Sequence, residues 1–328
     1  MGAGRDDGLV AALAAPDGLS RCFDTAGIEG PPDAWERLSA QLDRNGDAAC
    51  FVLHRDGHVL SLRVGDHGAV VQELRDDPRL TTLPGFLDAH PSARILRYRA
   101  ERRCTLCVDG PGHGPAIAKV FPTAEAERVH QLAVALEDAA TRGAFGFRVA
   151  TALGWDPVHR AQWQGLVPGR AALPLLLSAG GPRLAFRMGQ ANGTLAASRI
   201  EGLTYLGADE QIARSRRYAR RLGALVPSLD RHVLDLLDVL AERHVRWPGG
   251  RAVPIHGSPH AHQWLVDGDR LGLVDFDRAA MGHAELDVAT FIAEIDYEDR
   301  DTPREAISAA YRAGYESEAG ALDGALLH

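Results

Sequence analysis

The spacing of apolar residues changes along this chain, and the changes divide it into elements. Residues 33–43, DAWERLSAQLD, carry apolar positions at helical spacing and predict a short amphipathic helix. FVLHRDGHVLSLRV, 51–64, alternates with a period of two around Asp56-Gly57 and predicts a β-hairpin, to which AVVQEL, 69–74, adds a third strand. DDPRLTTLPG, 76–85, reads as a connecting segment. Three strands then follow closely, ARILRYR (93–99), RCTLCV (103–108) and AIAKVF (116–121), with PGHGP (111–115) as the turn before the last. After Pro122-Thr123 the period lengthens, and Val129, Leu132, Ala133 and Leu136 line one face of a helix. A short strand is predicted near 158–164, and VPG at 167–169 breaks the chain. Most of the rest reads as helix (181–198, 208–223 and 230–244), interrupted by a hairpin over 263–275.

This order predicts an α+β fold with a small β-rich lobe followed by a larger helical lobe. Residues 1–77 form an N-terminal α/β extension of helix and hairpin, 78–162 the β-rich lobe, and 163–328 the helical lobe. With 328 residues the chain is long enough to bury such cores. A net charge of −8 argues against a general nucleic-acid binder, whose affinity depends on neutralising phosphates. No apolar run approaches the roughly 18 residues of a membrane span. MGAGRDDGLVAALAAPDG has acidic residues where a signal peptide is basic, and no Ser or Thr at position 6 for myristoylation. The expectation is a reduced, cytoplasmic protein with no membrane partner.

Cys104-Thr-Leu-Cys107 has the spacing of a metal or redox pair. No second pair completes a metal site, and the segment has strand character, so buried strand thiols are expected. His256, His260 and His262 invite a zinc reading as well, but the chemistry of their segment suggests another. Five arginines on one helix (214, 216, 217, 220 and 221) read as a solvated face, with an anion site as the alternative. The acidic run Glu294, Asp296, Glu298, Asp299 and Asp301 reads as a solvated loop or an attractor of a cationic substrate.

Of the 36 basic residues only one, Lys119, is a lysine. A surface lysine converts to arginine easily, whereas a position needing a compact ammonium does not. Lys119 sits in an apolar strand, where a charge is costly unless something pairs with it.

The second concentration of chemistry is PIHGSPHAHQWLVDGDRLGLVDFD, 254–277. Leu271, Leu273 and Asp275 share one strand face by the two-residue period, which places a carboxylate at the end of a buried strand. Gln263 opens the opposite strand. An amide oxygen and a carboxylate are hard ligands suited to Mg²⁺ against a nucleotide's phosphates, and a lysine from a separate lobe would complete the clamp that phosphoryl transfer requires.

A lysine in a β strand followed by HGxxHxxQxLVDGDRLGLVDFDRAxxGxxxLDVA resembles the aminoglycoside phosphotransferase and choline kinase group, within the protein-kinase-like fold. The resemblance spans roughly 78–315 and implies a bilobal architecture. It assigns Lys119 to the nucleotide's α/β-phosphates, Asp275 and Gln263 to Mg²⁺ (Gln263 stands where most members have Asn), His256 to the opening of the catalytic loop, and Asp287 to a structural role. The adenine would lie near Trp163–Leu166. The glutamate partner of Lys119 stays open among Glu125, Glu127 and Glu137, with Glu125 on the face of Val129 and Leu132. The chain departs from the pattern at Ser258, where the family has the Asp that accepts the hydroxyl's proton. It departs again at His283, in place of an Asp, and in AlaGluArgArg (100–103), a phosphate-covering turn without glycine. Loss of a general base costs about 10²–10⁴-fold, and His260 is the one nearby substitute.

The resemblance therefore implies a pseudokinase that binds ATP or another nucleotide with Mg²⁺, or alternatively an active ATP-dependent phosphotransferase acting on a small-molecule or peptide hydroxyl. Relatives in lanthipeptide-type maturation pair a kinase-like subunit with a lyase subunit and a precursor peptide. Such a partner is expected here, docking on residues 1–77.

Overall fold

Backbone hydrogen bonding, more than side-chain periodicity, decides how the N-terminal third is built. The computed structural model describes residues 18–42, 48–56, 58–65, 68–110, 114–225, 227–246, 252–297 and 304–324. The chain forms two compact units, one of Met1–Glu127, Trp155–Trp163 and Gln211–Val245, the other of Arg128–Gly154, Gln164–Glu210 and Arg246–His328. The whole is a mixed α+β fold, rich in sheet towards the N-terminus and helical towards the C-terminus. Among the described residues no helix is long and apolar enough to cross a membrane.

The first unit opens with a helix, Gly18–Ala26, and a four-stranded antiparallel meander: β1 (Glu36–Leu42), β2 (Ala48–Arg55), β3 (His58–Gly65) and β4 (Gly68–Glu73). The helix expected over 33–43 is therefore a 3₁₀ turn, Pro32–Ala34, and a strand. Leu38, Ala40 and Leu42 satisfy a period of two as well as a helical one, and pairing of Glu36–Leu42 with Ala49–His54 supplies the backbone partners that settle it. The hairpin at β2–β3 forms in register Arg55↔His58, with Asp56 at φ +50°, while Gly57 lies outside the described residues, as do 111–113 of the PGHGP turn. Phe23, Trp35, Phe51, Leu53 and Leu62 make the core of this layer. Phe23 meets Trp35 edge-on at 6.5 Å, and the Arg55 guanidinium lies over the indole at 4.5 Å.

A second sheet follows, in the order β5-β6-β7-β9-β8, with β5 (Arg94–Arg99), β6 (Arg103–Gly110), β7 (Gly114–Val120), β8 (Ala152–Asp156) and β9 (Ala161–Gly165). The single strand expected near 158–164 is thus two, because Asp156 accepts the Val158 and His159 N–H groups and turns the chain between them. Cys104 is buried on β6 and burial pushes its thiol pKa up; both Cys104 and Cys107 are free thiols.

The expected connection 76–85 includes the end of a 3₁₀ turn, Leu74–Asp76, and the start of a helix, Leu83–Ala89. Between them the buried carboxylate of Asp77 accepts the N–H groups of Arg79 (2.9 Å), Leu80 (3.0 Å) and Glu101 (2.7 Å) and the Tyr98 hydroxyl (2.7 Å). It thereby holds the glycine-free turn 100–103, where Glu101 adopts φ +60°. Helices Ala208–Leu225 and Pro227–Arg246 complete the expected helical stretches. Of the basic face, Arg216 pairs with Asp238 at 2.5 Å and Arg214 lies beside the Tyr218 phenol.

The second unit is built on two long helices, Gly181–Ala197 and Arg304–Ala319. They approach so closely that a Cβ at Gly189 would lie 2.0 Å from the Tyr311 carbonyl oxygen, and one at Gly314 2.0 Å from that of Phe186. Trp264, Leu273, Met188 and Phe291 fill the core beside them, with Phe291 stacked on Tyr311 at 3.7 Å. The predicted hairpin forms here as β12 (Trp264–Asp267) and β13 (Arg270–Leu273), flanked by β10 (Arg170–Ala171); β11 (Val253–Ile255) pairs with β14 (Ala280–Gly282).

Candidate functional site

The loop that leaves β11 is fixed from below by one carboxylate. Asp287, on the helix Ala284–Tyr297, accepts the backbone N–H of His256 (2.7 Å) and of Gly257 (2.8 Å). Burial pushes Asp287 up to about 6, against the lowering effect of those two bonds and of the Asn192 amide. The His256 imidazole is fully buried, with Nε2 3.0 Å from the Val274 carbonyl and its ring against Phe276 at 4.5 Å. His256 therefore ties the loop to the strand end that carries Asp275. Gly257 holds φ +77°, and a Cβ there would lie 2.5 Å from the Arg278 carbonyl oxygen, so only glycine fits. Ser258 follows directly, half-buried, on this fixed backbone.

Beyond it, His260, Gln263 and Asp275 converge. The Gln263 N–H donates to the His260 carbonyl (2.9 Å), and the Val274 N–H to the Gln263 carbonyl (3.1 Å), so the start of β12 is bonded to the end of β13. Gln263 Nε2 lies 3.3 Å from His260 Nε2 and 3.4 Å from Asp275 Oδ2. His260 Nδ1 in turn lies 3.3 Å from Glu294 Oε2. Asp275 takes the left-handed conformation, φ +67° and ψ 51°, a region Asp tolerates better than most residues, and the chain then turns through Phe276–Arg278. The donor set suits a hard cation. Gln263 turns its amide nitrogen to His260 and Asp275, so its carboxamide would have to turn over for the oxygen to join the Asp275 carboxylate as a ligand of the kind Mg²⁺ takes.

Lys119 is buried, 4 % exposed, on β7 opposite Thr105 of β6. Glu125 and Glu127 are exposed in the first turn of the helix Glu125–Thr141, while Glu137 accepts the Ala152 N–H at 2.9 Å. Trp163 packs against Phe86 (5.6 Å) and His90 (5.2 Å), and Leu166 is half exposed. His262 is exposed, its ring 5.8 Å from that of His260. Of the acidic run, Glu294 and Asp296 fall on the helix Ala284–Tyr297, and 298–303 lie outside the described residues. No local spacing indicates that Glu294 faces His260, since the two are separated by the whole hairpin. Asp77 was equally hidden within a polar connecting segment.

Residues 100–321 match the phosphotransferase enzyme family. Search of curated proteins finds no match. Among solved structures, aminoglycoside phosphotransferase APH(3'')-Id from Streptomyces rimosus is similar with a TM-score of 0.52 at 16 % identity, over 74 % of this chain and 91 % of that one. Spectinomycin phosphotransferase APH(9)-Ia, solved with ADP and spectinomycin, gives 0.54 at 11 % identity, over 75 % and 82 %. The GDP and kanamycin complex of APH(2")-IIia gives 0.53 at 15 %, over 76 % and 85 %. At these identities the structures speak for the fold, and the family match covers most of the chain: it belongs to the phosphotransferase enzyme family and has the kinase-like α+β fold.

Proposed function

We propose that this protein is a cytoplasmic pseudokinase: it binds ATP or another nucleotide with Mg²⁺ and acts as a binding subunit beside a partner, with phosphoryl transfer impaired. Lys119 would take the phosphates, and Gln263 and Asp275 the metal, which supplies charge neutralisation when bound. The observation that carries this reading is a contrast within one loop. Everything that shapes the loop is in place, namely the Asp287 clamp, buried His256 and the Gln263–Asp275 pair. At the position where the resemblance puts the Asp that receives the hydroxyl's proton, this chain has Ser258. A serine can orient a hydroxyl but cannot take its proton at neutral pH. Nucleotides in similar structures, ADP and GDP among them, support the binding half of the reading.

The partner half rests on the resemblance to kinase-like subunits of lanthipeptide-type maturation. The acceptor would then be a Ser- or Thr-bearing precursor peptide and the partner a lyase subunit. Residues 1–77, whose sheet has a core of its own, would be the docking element. A deletion of 1–77 that leaves complex formation intact rejects that part.

The completeness of the loop also favours a second reading, an active phosphotransferase on a small-molecule or peptide hydroxyl. Calorimetry with ATP, with and without Mg²⁺, separates the two when combined with a turnover assay. The pseudokinase reading expects metal-dependent binding that Lys119→Ala abolishes, and ATP hydrolysis or transfer that rises about 10²-fold or more in Ser258→Asp. Substantial turnover by the wild type, lost in Asp275→Ala, establishes the second reading. Absence of nucleotide binding in every form rejects both.

A further inference from the structure

We infer that the second unit carries a binding site for a small aliphatic diamine, in a cavity apart from the loop that leaves β11. The cavity has a volume of about 470 Å³. It is bounded by the end of the helix Gly181–Ala197, by Val253 of β11, by the start of the helix Ala284–Tyr297, and by the end of the helix Arg304–Ala319 with residues 320–323. The last of these walls is fastened in place. Gly320, at φ +91°, ends its helix, and its N–H donates to the Glu316 carbonyl (3.1 Å). The Leu322 N–H then donates to the Glu316 carboxylate (3.3 Å) and the Asp323 N–H to that of Glu285 (2.9 Å), so the segment is tied to two helices.

Two features give the cavity its chemistry. Glu285, Glu318 and Asp323 reach it from separate walls, with alanines and Leu322 between them. Among the described residues no three His, Cys, Asp or Glu side chains are grouped to hold a metal ion, so the charge is spread for an extended cation and not gathered for a point one. Tyr315 is the second feature. It is 1 % exposed and lines the cavity, and its hydroxyl has no hydrogen-bond partner among the described residues. The hydroxyl feels the charge of Glu285, itself a wall of the cavity, which sets that end of the side chain on the cavity side. Burial, with the charges of Asp287 and Glu285, pushes the phenol pKa up, so it stays neutral. A buried acceptor without a donor is costly, and an ammonium beside Glu285 supplies one. A second ammonium pairs with Glu318, and the methylenes between lie on Ala196, Ala284 and Leu322.

This site is not the one at Ser258. β11 runs from Val253, at the cavity, to Ile255, where the loop leaves, and none of residues 256–278 lines the cavity. On the helix Ala284–Tyr297 the cavity takes Ala284 and Glu285, whereas Glu294 faces His260, roughly 13 Å further along the axis.

Calorimetry on the full-length protein with 1,4-diaminobutane as the probe tests the inference. The diamine is expected to bind with a dissociation constant of about 1 mM or tighter at low salt, and more weakly as salt is added. Tyr315→Phe and Glu318→Gln keep the size of the side chain, and each is expected to weaken binding about tenfold with the unfolding temperature unchanged. Butane-1,4-diol, of the same length without the charge, is expected not to bind. Hydrogen exchange at 320–323 is expected to slow when the diamine is present. No binding at about 10 mM diamine overturns the inference. So does equal affinity in both variants, which would place the diamine elsewhere, and so does equal binding of the diol. Displacement of the diamine by one equivalent of Mg²⁺ would make the cavity a metal site and overturn it as well.

Discussion

The meander β1–β4 and the block from β11 to the helix Ala284–Tyr297 are held together in opposite ways. In the meander, Phe51, Leu53, Leu60 and Leu62 are buried among Phe23, Trp35 and Val64, and regular antiparallel pairing satisfies the backbone. In the block, the turns are irregular, and long-range polar bonds do what pairing does in the meander. Asp287 bonds two N–H groups about thirty residues away, and His256 reaches the Val274 carbonyl. Apolar packing is tolerant of exchange at similar volume. A buried polar group with a fixed partner is not, since removing one member leaves the other desolvated and unmatched. The block therefore constrains residue identity at single positions, and the meander constrains only a pattern.

Substitution in each region breaks this contrast open. The largest loss is expected at Leu62, which is fully buried: Leu62→Ala should cost about 4 kcal/mol, the transfer and cavity terms together. Hydrogen exchange should show the loss in β2 and β3, and Leu62→Met should recover most of it. Asp287→Ala should cost about 3 kcal/mol, from two buried N–H groups left without an acceptor, with lost protection at β11 and β14. Here Asp287→Asn should recover little, because its amide nitrogen would face one of the two donors. Equal rescue by the conservative change in both regions would erase the distinction.

The same difference governs what was legible in the sequence. The block could be read residue by residue, because His256, Gln263, Asp275 and Asp287 are chemical types at fixed spacing, and apolar Leu271 and Leu273 set the face of the strand. The meander offers only period, and ERLSAQL satisfies two periods at once, so its spacing predicts a helix where the chain forms the strand Glu36–Leu42. Side chains that act across the chain were the least visible. Glu294 sits in an acidic run that reads as solvent-facing, and Asp77 in a polar connection, yet one faces His260 and the other holds the turn at Glu101. Their partners are set by tertiary approach, which no local spacing encodes.

A smaller effect sharpens the contrast through pH. Burial raises Asp287 to about 6 from the ordinary 3.8, so the folded protein holds this proton more tightly than the unfolded chain. Its contribution is then fully present below the unfolded value and declines as pH rises through about 6. Between pH 5 and pH 7 the decline amounts to about 1 kcal/mol. Urea unfolding should show the stability gap between wild type and Asp287→Ala wider at pH 5 than at pH 7 by that amount, and a gap that widens towards pH 7 would contradict it. The gap between wild type and Leu62→Ala should not move, since no titrating group is lost.

The smallest effect concerns a polar link of the meander. Ser39 Oγ donates to the Tyr98 carbonyl of β5 over 3.4 Å, a long bond at a part-buried position. If β1 is held by its pairing with β2 and by apolar contact, this bond adds little, and Ser39→Ala should cost no more than about 0.5 kcal/mol. A loss several times larger, measured by urea unfolding, would mean that β1 depends on a specific polar contact as the block from β11 does. A negligible loss, set beside the cost at Asp287, would show how far the worth of a polar bond depends on burial. The Asp287 carboxylate is sealed from water with two donors aimed at it, whereas the serine bond is long and only part-buried.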